Sequence, residues 1–309
     1  MKTFSKASKD GIGYLFASPW LTGFFLLTFF PLLGSLLLSF SEWDGMSWSR
    51  LEWVGFDQYQ KAMADPFVHT ALRNTVFYSL LAVPGGVLVS LMIAVLLNQK
   101  LKGITIFRTI YFMPYIIGGI ATIMMWLQLF NPDFGLLNLI LRAIGSALEN
   151  IGILSGDWKP PGWIYDERWA KPALIMMSWW GAGGPALIFL AALQNVPPQL
   201  YESAQIDGAG RIQRFRHITV PQISPAIFFN LVMGVIASFQ VFNEAFIMTS
   251  GGPNDSTLFF VLYLYNKGFI DFEIGYASAL AWILFIIILV LTLCVVKSSK
   301  LWVHYQGEE

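Results

Sequence analysis

Six apolar runs divide the chain, at 14–40, 74–98, 107–130, 172–194, 222–248 and 276–296. Each has about the 20 residues that a helix needs to cross the hydrocarbon of a bilayer. In hydrocarbon every backbone N–H and C=O must be paired internally, so runs of this length predict helices. The expected fold is all-α, a polytopic membrane protein with six transmembrane helices. Pro31, Pro84, Pro114, Pro185 and Pro225 fall inside these runs, each marking a kink, an unwound turn or a helix start. Lys2, Lys6 and Lys9 precede the first run, as in a secretory leader. The run is too long for a leader's apolar core and no small-residue cleavage pattern closes it, so a retained first helix is expected.

Between the runs, long loops at 41–73, 131–171 and 249–275 alternate with short ones at 99–106 and 195–221. The short loops and the termini hold Lys2, Lys6, Lys9, Lys100, Lys102, Arg108, Arg211, Arg214, Arg216, Lys297 and Lys300. Most acids, Asp157 among them, fall in the long loops. Basic residues mark the cytoplasmic side, so the tails 1–13 and 297–309 are both expected there, flanking a membrane domain at 14–296. Loop 131–171 carries Trp158, Trp163 and Trp169 among Pro160, Pro161 and Pro172, a pattern suited to the membrane–water boundary or to a protein partner.

Loop 195–221 has the most pronounced local pattern. Pro197 and Pro198 permit a helix start, Leu200, Ser203, Ala204 and Ile206 share a helical face, and Gly208 and Gly210 end it. Arg211 to His217 begins a second short helix that Pro221 closes or hands on to the next span. Two short cytoplasmic helices meeting at a glycine turn are expected.

Composition narrows the chemistry. Of 309 residues 56% are hydrophobic and 12% charged, with a net charge of zero, and no basic block suggests nucleic acid. Cys294 is the only cysteine, which excludes an intrachain disulfide and a thiolate metal site. No phosphate-binding GxxxxGK exists, His69, His217 and His304 form no HExxH pair, and no GxSxG turn presents a serine. An enzyme is not expected, and no catalytic or metal-binding residue is assigned. Glu244 lies in the fifth run with Ser238, Gln240 and Asn243, which either bond a polar ligand or bond other helices. Trp179 and Trp180, before the small residues Gly181, Gly183 and Gly184, either face a cavity where an indole stacks on a sugar ring or anchor the helix at the membrane boundary.

Glu202, Ser203 and Ala204, then Gly208, then Ile218 to Pro221, resemble the EAA loop of permeases from binding-protein-dependent ABC importers, with Ser203 for the first Ala and Val220 for Leu. The strings VGFDQY (54–59), LRNT (72–75), FRTIYFMP (107–114), NPDFG (131–135) and SGGP (250–253) resemble the carbohydrate branch, the maltose and glycerol-phosphate type. Loop 131–171 is longer than that branch leads one to expect. The resemblance implies a division of labour in a bacterial inner membrane. An extracytoplasmic binding protein delivers a sugar or oligosaccharide, this chain and a homologous second permease form the pathway, and two ATPase subunits close beneath. ATP and magnesium belong to those ATPases, and no cofactor is expected here. It also implies that the first short helix docks in an ATPase groove, with Glu202 meeting a basic residue, Gly208 permitting the turn, and Asp207 and Arg211 flanking it. Three other readings compete: the same machinery for a non-sugar solute, a membrane enzyme acting on lipid-linked sugar, and a subunit without a pathway whose residues 238–244 only pack.

Overall fold

The computed structural model describes residues 6–99, 102–151 and 159–304, with the backbone alone for 6–13 and 15. Lys2, Lys100, Asp157 and Trp158 lie outside the described residues, as do the side chains of Lys6 and Lys9. The chain divides into two compact units, one of residues 1–65 and 264–284 and another of 66–263 and 285–309.

In the first unit, α1 (Lys6–Phe24) passes through a π-helical turn at Phe25–Phe29 into α2 (Phe30–Leu38). The first helix thus begins eight residues before the apolar run, at 6 rather than 14. Pro31 cannot donate to the carbonyl one turn back, and the wider turn before it absorbs that loss. No residue of the apolar window within Phe16–Leu38 is buried.

Next, β1 (Ser41–Glu42) pairs antiparallel with β2 (Glu52–Trp53), and α3 (Asp57–Ala64) follows. Asp44 folds the intervening loop, accepting from the Met46 N–H at 2.9 Å and from the Arg50 guanidinium at 2.8 Å. The Met46 amide first, then the arginine, hold this carboxyl below the usual carboxylate range. A depressed folded pKa stabilises the loop above the unfolded value of about 3.9 and is lost as pH falls through the folded one. Amide exchange should therefore show Met46 protected at pH 6 and unprotected near pH 2; equal protection at both would refute this role. Elsewhere in the unit Lys61 bridges to Glu273, and Tyr276 donates to Asp65 at 2.7 Å.

The second unit is built on α4 (Pro66–Leu97), 32 residues long. At about 1.5 Å per residue it outreaches the roughly 30 Å hydrocarbon core, so its first turns project beyond the expected run at 74–98. Among the described residues three further apolar helix pairs are bent. The expected straight helix at 107–130 is α5 (Ile104–Ile117) and α6 (Ile120–Leu129), turned by 103°. Gly119 takes φ +68° there, which side chains resist, and Pro114 has already removed one donor from the preceding turn. Past it, α7 (Leu136–Asn150) runs through loop 131–171. Then α8 (Glu167–Trp180) and α9 (Gly183–Gln194) meet at 46°, with Asp166 capping α8 through the Arg168 N–H.

After α9 come α10 (Pro198–Ile206) and α11 (Arg211–Arg214), the latter continuing through a π-helical turn at Phe215–Thr219 into α12 (Val220–Gln222). A 66° bend at Ile223 leads into α13 (Ser224–Phe239). The expected fifth run at 222–248 therefore does not form one helix. It also breaks at 240–242 before α14 (Asn243–Met248), where the Ser238 hydroxyl bonds the Val235 carbonyl and competes with the helical ladder. α15 (Phe260–Tyr265) and α16 (Ile274–Ser299) complete the chain, and Trp302 packs edge-on to Phe228. Among the described residues three helices are long and apolar enough to cross a membrane, or up to six if each bent pair is one span.

Leu91, Ala94 and Leu97 of α4 pack with Phe189, Leu190 and Leu193 of α9 and with Ile223. Gly85 carries the Trp179 indole on its bare Cα, where a Cβ would collide with the ring. Asn74 of α4 clasps the chain before α15, its amide donating to the carbonyls of Asp255 at 2.7 Å and Leu258 at 3.1 Å, while its oxygen accepts from Lys171 at 3.0 Å. Beside it Thr75 accepts from the Phe260 N–H at 3.0 Å. This bonding is the physical content of the 72–75 string.

Candidate functional site

Where helices break, a membrane protein can line a cavity with polar backbone and side chains. Two adjoining cavities of about 600 and 550 Å³ lie in the second unit, bounded by α4, by the α5–α6 and α8–α9 bends, and by the segment 237–244. Both are lined by Tyr78, Tyr115, Ser178 and Glu244. Trp180 lines the first, at 47% exposure and edge-on to Trp126 at 5.9 Å. Asn230, Ser238, Gln240 and Asn243 line the second. Glu244 is the one charged side chain among the described residues that line either.

The six residues singled out from the sequence thus divide. Trp180, Gln240, Asn243 and Glu244 reach the cavities. Ser238 borders one, yet its hydroxyl is 2.7 Å from Ser79 of α4, so it joins helices as well. Trp179 lies elsewhere: its indole rests on α4 and donates to the Ala82 carbonyl at 3.2 Å, lining neither cavity. Neighbours on a helix point to different faces, so two adjacent tryptophans cannot share one role. Tyr78, Tyr115 and Ser178 escaped the sequence reading. Tyr115 beside Pro114 at a Gly-Gly break was the available signal.

Trp163 also departs from a membrane-boundary role. It is buried between Phe130 and Trp169, and its indole donates to Asn138 at 2.7 Å.

The second candidate feature is the elbow at 198–222. Pro198 opens α10, since the first turn needs no donor there. Asp207 N–H returns to the Ser203 carbonyl and Ala209 N–H to Ala204, closing the helix. Gly208 then takes φ +79°, the left-handed region. A Cβ there would meet nothing within 4 Å, so conformation and not space calls for glycine. The Gly210 N–H donates to Gln213 at 2.8 Å and starts α11, while Tyr201 and Thr219 join the two arms at 2.9 Å. Glu202, Ser203, Asp207 and Arg211 are exposed and Ala204 is half-buried. Ile206 and Ile212, on either side of the turn, are 88% and 83% exposed. The sequence pattern identified Ile206 but not Ile212.

Residues 75–300 match the family described as the binding-protein-dependent transport system inner membrane component. This chain belongs to that family. Family members are transport components of a membrane, which accords with the apolar spans and bent pairs above. "Probable ABC transporter permease protein YesP" of Bacillus subtilis is 39% identical over 100% of this chain and 97% of the relative. The "Multiple sugar-binding transport system permease protein MsmF" of Streptococcus mutans is 33% identical, covering 88% of this chain and 89% of its own. Among solved structures, a bacterial ABC transporter involved in the import of the acidic polysaccharide alginate superposes with a TM-score of 0.77 at 23% identity. It covers 94% of this chain and 96% of that one, a likeness of fold.

Proposed function

We propose that this chain is one of two homologous permease subunits of an ATP-driven, binding-protein-dependent importer that carries a sugar or oligosaccharide across a bacterial inner membrane. In this reading both termini and the elbow are cytoplasmic. Two ATPase subunits bind ATP and magnesium beneath the permeases, and an extracytoplasmic protein delivers the sugar to the loops opposite. The sugar-binding transport named for relatives such as MsmF supports the substrate class.

The observation that carries the reading is the elbow. Two nearly fully exposed isoleucines stand on a turn fixed by glycine, among the charges of Glu202, Asp207 and Arg211. Large aliphatic side chains held out on a rigid projection suit a groove on another protein. Glu202 meets a basic residue of the ATPase, Ser203 and Ala204 keep the helix slim enough to enter its groove, and closure of the ATPases moves the elbow. Ligand, binding protein and ATP each favour a different state of the bundle, and each shifts the balance only by its differential affinity.

The test is co-purification with a second permease, an ATPase and a binding protein, then ATP hydrolysis in lipid vesicles with and without candidate sugars. Hydrolysis stimulated by a sugar-loaded binding protein is expected. Failure to associate with an ATPase would refute the importer reading, and stimulation by a peptide or amino acid alone would refute the substrate class.

In the cavities, Tyr115 and Trp180 stack on sugar faces while Glu244 accepts hydrogen bonds from hydroxyls. A hydrogen bond to a charged group contributes about 1.5–3 kcal/mol. Glu244→Ala should therefore lower uptake by about tenfold to a hundredfold at subsaturating sugar. Unaltered uptake at equal membrane abundance would remove these cavities from the pathway.

A further inference from the structure

The helix α7 has three kinds of face. Asn138 and Gly145 are buried and Leu137, Leu141 and Leu148 half-buried, on the side turned to the rest of its loop. Arg142 and Ser146 form a polar, exposed side. Between these lies a third sector of Leu136, Leu139, Ile140, Ala143, Ile144 and Ala147, all exposed. Their spacing by three and four residues makes one continuous stripe. An isolated exposed leucine needs no explanation, but an aliphatic stripe along a 15-residue helix does.

The rotation of the helix is fixed. Asn138 donates to the carbonyls of Pro132 and Pro161, at 3.1 and 3.2 Å, and accepts from the Trp163 indole. Arg142 reaches back to the Pro132 carbonyl at 2.8 Å and the Asp133 carbonyl at 3.3 Å. With both residues held, the stripe cannot turn inward.

Its link to the preceding helix is short. Only residues 130–135 separate α7 from α6, the second half of a bent apolar pair, whose Ile120, Met124 and Met125 are exposed. In that turn the Asn131 side chain accepts from the N–H groups of Asp133 and Phe134, and the Gly135 N–H returns to the Asn131 carbonyl at 3.0 Å. Gly135 lies so close to the carbonyls of Leu129 and Asn131 that a Cβ would collide with both. The chain therefore turns tightly at the end of α6, and the stripe follows directly on that helix's exposed apolar residues.

We propose that α7 lies in the membrane–water interface at the end of α6, with the stripe from Leu136 to Ala147 immersed in lipid and Arg142 and Ser146 in water. An amphipathic helix in this position buries its apolar face at the boundary of headgroups and acyl chains. It anchors loop 131–171 against the bilayer. The inference rests on the family's membrane setting and holds whatever solute is carried.

The test uses the assembled complex. Cys294 is replaced by Ser, leaving no cysteine. Single cysteines at 140, 144 and 146 are nitroxide-labelled and reconstituted into phosphatidylethanolamine–phosphatidylglycerol vesicles. Power-saturation measurements then compare collisions with oxygen, which partitions into lipid, and with a water-soluble nickel chelate. Oxygen should exceed nickel at 140 and 144, with the order reversed at 146. Shielding of 140 and 144 from both reagents would mean that a protein subunit covers the stripe, and nickel access there would mean water; either result overturns the proposal.

Discussion

Gly208→Val is expected to leave the chain in the membrane at normal abundance while reducing sugar-stimulated ATP hydrolysis of the assembled importer by about tenfold or more. Left-handed backbone costs a residue with a Cβ roughly 1–2 kcal/mol, and a β-branched side chain more. Since a Cβ at 208 has open space around it, the whole effect comes from φ +79°. The strain is relieved by opening the angle between α10 and α11, which moves Ile206 and Ile212 relative to each other. A rank order follows: Asn, which tolerates this region, should retain most activity, Ala less and Val least. Equal loss in all three would show that the site is blocked by bulk from a partner and not by backbone strain. Full activity of Gly208→Val would deny the turn any role in coupling.

The largest stability effect is expected at Asn74→Leu. Asn74 is 4% exposed, and its amide satisfies two carbonyls and one ammonium group. A leucine of similar size leaves all three without that partner, at about 1–3 kcal/mol for each buried group that water does not reach. A total near 3 kcal/mol lowers the melting temperature by about 5 °C for a chain of this size. Asn74→Asp separates the contributions, because it keeps an acceptor for Lys171 but loses the donor to Asp255 and Leu258. Light-scattering melts in mild detergent would read both variants, and a Leu variant melting with the parent would show the clasp to be dispensable.

How far the fold was legible follows from what these two residues have in common. Apolar runs declare membrane helices because the bilayer leaves the backbone no alternative, so the number and order of runs could be read directly. The breaks could not. Glycine and proline are tolerated in membrane helices, and nothing in 107–130 separates a gentle kink from a 103° turn at Gly118 and Gly119. The elbow was legible because prolines and glycines bracket it with few alternatives. Asn74 was visible only as part of a family string, since a single amide says nothing about three partners remote in sequence. Trp179 and Trp180 show the limit for sites: the sequence left cavity and membrane boundary open for both, and only the helical phase decides which indole enters the cavity.

The first span has a consequence of another kind. A helix with no fully buried residue in its apolar window within Phe16–Leu38 carries little information beyond its length and oiliness. Selection acting through the fold of this subunit would police Gly85, Gly135 and Asn74 letter by letter, yet leave most of that segment free to drift among leucine, phenylalanine and their kin.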